Sequence, residues 1–418
     1  MLDKWAKAVD LDKAYVNFDP ARPLPGTSGF YIQRPNNPLD AMKRDLLRDS
    51  LVPQKFLFSG HRGSGKSSEL NKLMEYREIK DKYFIVHYSV KEVLDPAGLD
   101  YTDLLLSIGA QIFIKATEDS KLKLKQGLLD ELKKWMGAIE SQESIEDKSE
   151  IEIGAELKIL QAKLKTGYTS RIDIRKTIEA RLPEFTRVTD LIIAEVEQEK
   201  EKKIIVAIDD LDKPDLEVAR KLFYERQSSL TLPKCAIIYT IPIALLYSSE
   251  SGQVRQTFTE SYVLPNVTIT KGTDRRLNEE GRTVMKGLVE KRMSLDLIKP
   301  EALNHAIDTS GGVFREMARI IRMAADNAIA RGEGTIYKQD VLKAESSIRN
   351  EFRRMLQTKD YEKLAEIYKT RELKGSDVCA DLLHNLSILE YQNDENWCDV
   401  HPAVIPLLKL PRKGKVYI

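Results

Sequence analysis

The run Gly60-His61-Arg62-Gly63-Ser64-Gly65-Lys66-Ser67 constrains this chain more than any other feature. Its glycines let the backbone curl until successive N–H groups face one anion, with no Cβ in the way. A helix opened by such a loop adds its N-terminal amides and the positive end of its dipole. The lysine reaches the β- and γ-phosphate oxygens, and the serine after it offers a hydroxyl to Mg²⁺. Context agrees with the motif. Apolar Phe56-Leu57-Phe58-Ser59 runs straight into the loop, and a helix-forming segment with Leu70 and Leu73 on its inner face follows. The expectation is a site for ATP with Mg²⁺. Gly60, His61, Arg62, Gly63, Ser64, Gly65, Lys66, Ser67 and Ser68 hold the nucleotide, and Ser67 is a metal ligand.

Further apolar runs follow at Tyr83–Ser89, Ile204-Ile205-Val206-Ala207-Ile208, Ala236-Ile237-Ile238-Tyr239-Thr240 and Tyr262-Val263-Leu264. Near-continuous apolar strands separated by helices are the pattern of a parallel sheet covered on both faces. The third strand ends in Asp209-Asp210-Leu211-Asp212. Ligands of such sheets bind at the carboxyl ends of the strands. Asp209 is therefore expected to hold Mg²⁺ through water, and Asp210 to orient or deprotonate the attacking water. Asp212 stabilises the turn or assists. The run Tyr83–Ser89 lies between the two motif strands along the chain, which points to the class with an additional strand between them.

Two to four domains suit 418 residues. Lys+Arg 66 against Asp+Glu 65 leaves a formal charge of +1, which excludes a uniformly basic nucleic-acid coat. Three cysteines without paired spacing argue against a disulfide framework or a zinc site, and for a reducing, cytoplasmic setting. No signal peptide and no membrane span are read. The first fifty residues are rich in turn formers, and an amphipathic helix is expected over 39–48. Residues from about 115 to 200 are expected to form a charged helical insertion, solvated or binding a partner or nucleic acid. Within it, 141–150 reads as an exposed loop, and Ile151, Ile153, Leu157 and Ile159 weakly suggest a hairpin. Spacing over 171–199 is helical. The division expected is an N-terminal extension at 1–27, a nucleotide core at 28–270, a helical lid at 271–347 and a C-terminal domain at 348–418.

These residues resemble the ATPases grouped as AAA+ and STAND, including the initiator-like branch. The resemblance covers about residues 28–347, with a further match in the tail. It rests on the loop, on the Asp209-Asp210-Leu211-Asp212 strand end, and on Thr240 at the fourth strand's tip, where such proteins place a polar sensor. Ser310-Gly311-Gly312-Val313-Phe314-Arg315-Glu316 is similar to the second sensor of the lid. The resemblance implies that Arg315 contacts the phosphates, and by position it makes Arg255 an arginine finger for a neighbour's ATP. An Asp210 in place of the usual Glu implies slow hydrolysis. The fold implied is an α/β three-layer P-loop core with a helical insertion, an all-α lid and a small winged-helix-like tail. The function implied is an ATP-driven switch or assembly platform that is homo-oligomeric and acts through a partner protein, as in antiphage defence. The alternative is an ATPase that loads on DNA, like initiators or transposition regulators. The tail segment Ala380-Asp381-Leu382-Leu383-His384-Asn385 has no Lys or Arg, which favours protein packing over DNA docking. Lys409, Arg412, Lys413 and Lys415 keep DNA open.

Overall fold

The computed structural model describes residues 5–140, 150–248, 251–272, 275–373, 377–392 and 396–408. Helix α1 (Leu11–Asn17) starts on Asp10, whose carboxylate accepts from the Lys13 amide. Helix α2 (Leu39–Leu47) follows, and the Asn37 side chain accepts from the Leu39 amide at its start. The nucleotide core then runs β1 (Lys55–Gly60), α3 (Lys66–Glu75), β2 (Tyr83–Ser89) and α4 (Tyr101–Ile114). After the insertion, made of α5 (Gln126–Glu140), α6 (Glu150–Thr166), α7 (Tyr168–Ala180) and α8 (Leu182–Lys200), it resumes with β3 (Lys203–Asp209), β4 (Ala236–Pro242), α9 (Ser251–Thr257) and β5 (Glu260–Leu264). The lid comprises α10 (Glu279–Arg292), α11 (Pro300–Ser310), α12 (Phe314–Ala330) and α13 (Lys338–Met355). The tail carries α14 (Thr358–Thr370), α15 (Asp377–His384) and the antiparallel pair β6 (Ile388–Gln392) and β7 (Asn396–Val400). The basic end at 409–415 lies outside the described residues.

The five core strands are parallel in the order β2-β3-β4-β1-β5. An additional strand does separate the loop strand β1 from the aspartate strand β3, as expected. It is β4, not Tyr83–Ser89, which lies at the sheet edge beyond β3. Strand adjacency is set by tertiary packing, so order along the chain pointed to the right class through the wrong strand. Both faces are covered. Phe56, Phe58, Ile205, Ala207 and Ile238 pack with Leu39, Met42 and Leu70 of α2 and α3. Leu57, Val206, Ile208, Ile237 and Tyr239 face α4 and the insertion. Three layers result, which explains why the central strands read as unbroken apolar runs.

The hairpin expected near residues 151–159 is absent; α6 takes its place. Ile153, Leu157, Leu160 and Leu164 are buried at helical spacing, while Ile151 and Ile159 are 75% and 50% exposed. Over a window this long the 3.6-residue period dominates a short accidental alternation. The insertion shares one core with α4, where Trp135 meets Phe185 at 4.8 Å between ring centroids. The loop expected at 141–150 lies outside the described residues except for Glu150, which opens α6.

The N-terminal stretch is not a free extension. Ala8, Leu11, Ala14 and Phe18 pack into the lid core beside Met317, Ile320 and Ile321. Asn17 Nδ2 donates to the Arg292 carbonyl at 2.8 Å. Helix α13 continues to Met355, so the division at 347/348 falls inside a helix. Tail residues Cys379, Leu382, Leu383 and Cys398 share the lid core. Cys235, Cys379 and Cys398 are buried and unbridged. Among the described residues, no helix is long and apolar enough to cross a membrane.

Candidate functional site

Strand β1 delivers the chain to the carboxyl edge of the sheet at Gly60, and α3 begins at Lys66. Between them the backbone turns through Gly63 (φ 84°) and Gly65 (φ 106°), a conformation that side-chain-bearing residues rarely adopt. Space enforces the same choice at Gly63, where a Cβ would stand 2.4 Å from the Arg315 Cβ. The Arg315 amide donates to the Gly63 carbonyl at 3.1 Å. The first turn of the lid helix α12 is thus bonded to the phosphate loop.

Loop, strand end and lid enclose a cavity of 790 Å³. Lys66, Ser67, Asp209, Asp210, Asp212 and Arg315 all line it. Lys66 Nζ donates to the carbonyls of Gly60 (2.8 Å) and His61 (3.0 Å), and pairs with Asp212 Oδ2 at 2.8 Å. Both side chains are almost fully buried. Burial alone would raise the Asp212 pKa, but the Lys66 and Lys213 ammonium groups override it and hold the carboxyl well below the ordinary range. Asp209 moves the other way. Its burial raises its pKa, the Ser67 hydroxyl bond opposes the rise, and the neighbouring Asp210 and Asp212 charges add to it. The three carboxylates offer oxygens within 4.8 Å of one another. A hydroxyl and a cluster of buried carboxylates form the hard-oxygen set that suits Mg²⁺, and a dication would relieve the repulsion among them.

Asp210 adopts φ 66°, a strained setting for a residue other than glycine and common at functional positions. Its carboxylate accepts from the Ser89 hydroxyl at 2.7 Å, while Lys91 Nζ lies 3.6 Å away. Thr240 is fully buried and does not line the cavity. Its hydroxyl accepts from the Leu211 amide (3.0 Å) and donates to the Ile208 carbonyl (3.1 Å), bracing the turn that carries Asp209 and Asp210. Arg255 is exposed on α9, away from the cavity lining.

Within the loop, residues 61 and 62 face the tail. His61 is 1% exposed, and its Nε2 accepts from the Glu390 amide of β6 at 2.8 Å. Burial, then the Lys66 charge, lowers its pKa to about 3, so the ring is neutral. Arg62 lines the cavity but directs Nη2 to the Lys213 carbonyl (2.8 Å) and to His384 Nε2 (2.6 Å). Burial and the Arg62 charge bring His384 down to about 4, leaving a neutral acceptor. Ser64, within the loop, is buried. Ser68 accepts from the Leu24 amide at 3.2 Å.

Sequence reasoning missed the far wall of the cavity, formed by Phe30, Tyr31, Ile32, Leu288, Arg292 and Ala318. It also missed Arg34, a buried guanidinium beneath the loop. The only signal for Phe30, Tyr31, Ile32 and Arg34 was the aromatic and basic content of an otherwise turn-rich stretch, while Leu288, Arg292 and Ala318 lie on helices α10 and α12.

No protein-family model matches the chain, and no curated protein sequence does. Solved structures give partial likenesses. Cdc6p from Pyrobaculum aerophilum is 12% identical, with 95% of this chain and 96% of that one covered at a TM-score of 0.43. The ORC2 protein of Aeropyrum pernix, solved as ADPNP–ADP complexes, is 10% identical, with 93% of each chain covered at 0.45. The RuvB Holliday junction branch migration motor of Thermotoga maritima is 13% identical, with 89% of this chain and 92% of that one covered at 0.35.

Proposed function

We propose that this chain is a slow, Mg²⁺-dependent ATPase of AAA+/STAND type whose nucleotide state sets the position of its lid. The observation that carries the reading is the convergence of Lys66, Asp209 and Arg315 on one cavity from three separate elements. ATP would enter with its base against the apolar wall of Phe30, Ile32, Leu288 and Ala318. Its phosphates would draw Lys66 from Asp212, for which Lys213 at 3.6 Å would remain as a partner. Ser67 and Asp209 would hold Mg²⁺, which neutralises phosphate charge in such sites. Asp210, tethered through Ser89, would accept a proton from water. Arg315 would face the phosphates from the first turn of a helix bonded to the loop through its amide and the Gly63 carbonyl. Thr240 acts through the β3 turn rather than on the nucleotide.

A cytoplasmic switch that assembles with its own kind and signals through a partner protein, as in antiphage defence, is the fuller form of this reading. DNA loading in the manner of initiators is its rival. The helix that would have to read DNA in that case, α15, is turned inward, with Leu382 and Leu383 buried and His384 on Arg62. Loading through that helix would require it to undock. The test is ATP turnover by the full chain against Lys66→Ala as blank, with sizing in ATP, in ADP and with duplex DNA. Turnover equal in the two proteins overturns the ATPase; a size change only with DNA favours the rival.

A further inference from the structure

Arg34 sits in the irregular segment before α2 and is 4% exposed. Four elements meet its guanidinium. Nη1 donates to the Pro265 carbonyl just beyond β5 at 2.9 Å, and Nη2 donates to the Ser64 carbonyl in the phosphate loop. Nε lies 3.4 Å from Glu69 Oε1 on α3, and the Phe314 ring at the start of α12 stacks 4.3 Å from Cζ. Glu69 is itself buried and accepts from the Tyr31 hydroxyl and the Asn37 amide, each at 2.9 Å. Burying such a pair is expensive, and well-packed apolar groups commonly serve stability as well or better. Stability is therefore a poor reason for its presence.

Peptide geometry supplies a better one. The bond between Ser64 and Gly65 is planar and trans, so its C=O and N–H point in opposite directions. A guanidinium that holds the Ser64 carbonyl turns the Gly65 N–H to the side away from Arg34, in a residue that lines the cavity. The same guanidinium presses on Gly65, where a Cβ would stand 2.9 Å from Nη2, and stacks on the residue preceding Arg315. We propose that Arg34 is the positioning residue of the phosphate site, orienting the Ser64–Gly65 peptide for an anion and fixing the lid start against the loop. The proposal rests on the nucleotide reading above; Arg34 also borders the cavity, and the role assigned to it is exerted through the Ser64–Gly65 peptide.

The test uses the full chain with Arg34→Met, Arg34→Lys and Lys66→Ala, each measured for affinity toward fluorescent ATP and ADP analogues and for thermal midpoint. Lysine keeps the charge but cannot fork between two carbonyls, and methionine fills the volume without charge. Affinity should fall in the order wild type, Lys, Met, with Met about tenfold or more weaker, as expected for losing a hydrogen bond from a charged donor. Stability should run differently, with Met at least as stable as Lys. Such a crossing is not produced by a merely structural role, in which affinity follows the thermal midpoint. Wild-type affinity in Arg34→Met, or losses of affinity that track the midpoint, overturns the proposal. Should the methionine variant fail to fold, the lysine variant decides, and unchanged affinity there is equally fatal. If the wild type binds neither analogue, the nucleotide reading itself has failed; binding by the wild type but not by Lys66→Ala isolates the question to Arg34.

Discussion

Lys66 and Asp212 form a buried pair, so Lys66→Ala acts twice. It removes the cation facing the phosphates, and ATP affinity should fall below detection in a fluorescent-analogue titration. It also strands the Asp212 carboxylate, for which Lys213 at 3.6 Å is the remaining partner. Breaking a buried pair typically costs about 3–5 kcal/mol, and Lys213 should soften that. The thermal midpoint therefore drops in Lys66→Ala. Adding Asp212→Asn should restore much of the midpoint and none of the binding, and retained binding in either protein defeats the site assignment. Asp210→Asn separates binding from chemistry. Its amide keeps the Ser89 contact but cannot take a proton, so ATP should bind within about threefold while turnover falls on the order of a hundredfold or more. Unchanged turnover would move the role to another group.

At the scale of elements, the loop, the aspartate strand and the start of the lid helix were legible because each is a local pattern. A glycine loop between an apolar strand and a helix needs only neighbouring residues to specify it. Arg315 was singled out by resemblance to a lid sensor, through Gly311-Gly312 before it, and its side chain lines the cavity. The structure adds that Gly312 adopts φ 75° and that a Cβ there would meet the Val267 carbonyl at 1.8 Å, which fixes where α12 begins. Arg34, Glu69 and the His61–Glu390 bond were not legible. They join irregular segments far apart in sequence, and no local period announces them. The lid prediction belongs at this scale. A guanidinium bridging γ-phosphate oxygens contributes about 1.5–3 kcal/mol, and only the part that ADP cannot match shifts the lid. Arg315→Ala should therefore still bind ATP yet give similar protease patterns in ATP and ADP, where the parent gives different ones. A mutant that discriminates as the parent does would falsify the lid-sensor role.

For the whole molecule, core and tail meet around Glu390, which is 4% exposed on β6. Its backbone ties the tail to the core, donating from N–H to His61 and accepting at the carbonyl from Asn266 Nδ2 at 3.1 Å. Burial pushes its carboxyl up to about 7 from 4.5, opposed by a bond from the Tyr247 hydroxyl. The sign follows from which state sheds its proton first. Between about pH 4.5 and 7 the unfolded chain loses this proton while the folded chain keeps it, so stability falls as pH rises through that window. A shift of this size corresponds to roughly 3 kcal/mol. Other groups act in opposite directions. The carboxyl of Asp212, held low, withdraws stability only below about pH 4, in the acid range of an unperturbed aspartate. His61, His384 and His401, held neutral by burial, withdraw it as pH falls below about 6.5, where the unfolded histidines take up protons. The wild-type profile sums these trends, so the difference between wild type and Glu390→Gln carries the test. The two proteins should melt close together at about pH 4.5, and the glutamine variant should melt several degrees higher at about pH 8. It cannot ionise, and its backbone keeps the contact with His61. Parallel melting curves across that range would mean that Glu390 ionises at the same pH folded and unfolded, and that the joint between tail and phosphate loop is not proton-linked.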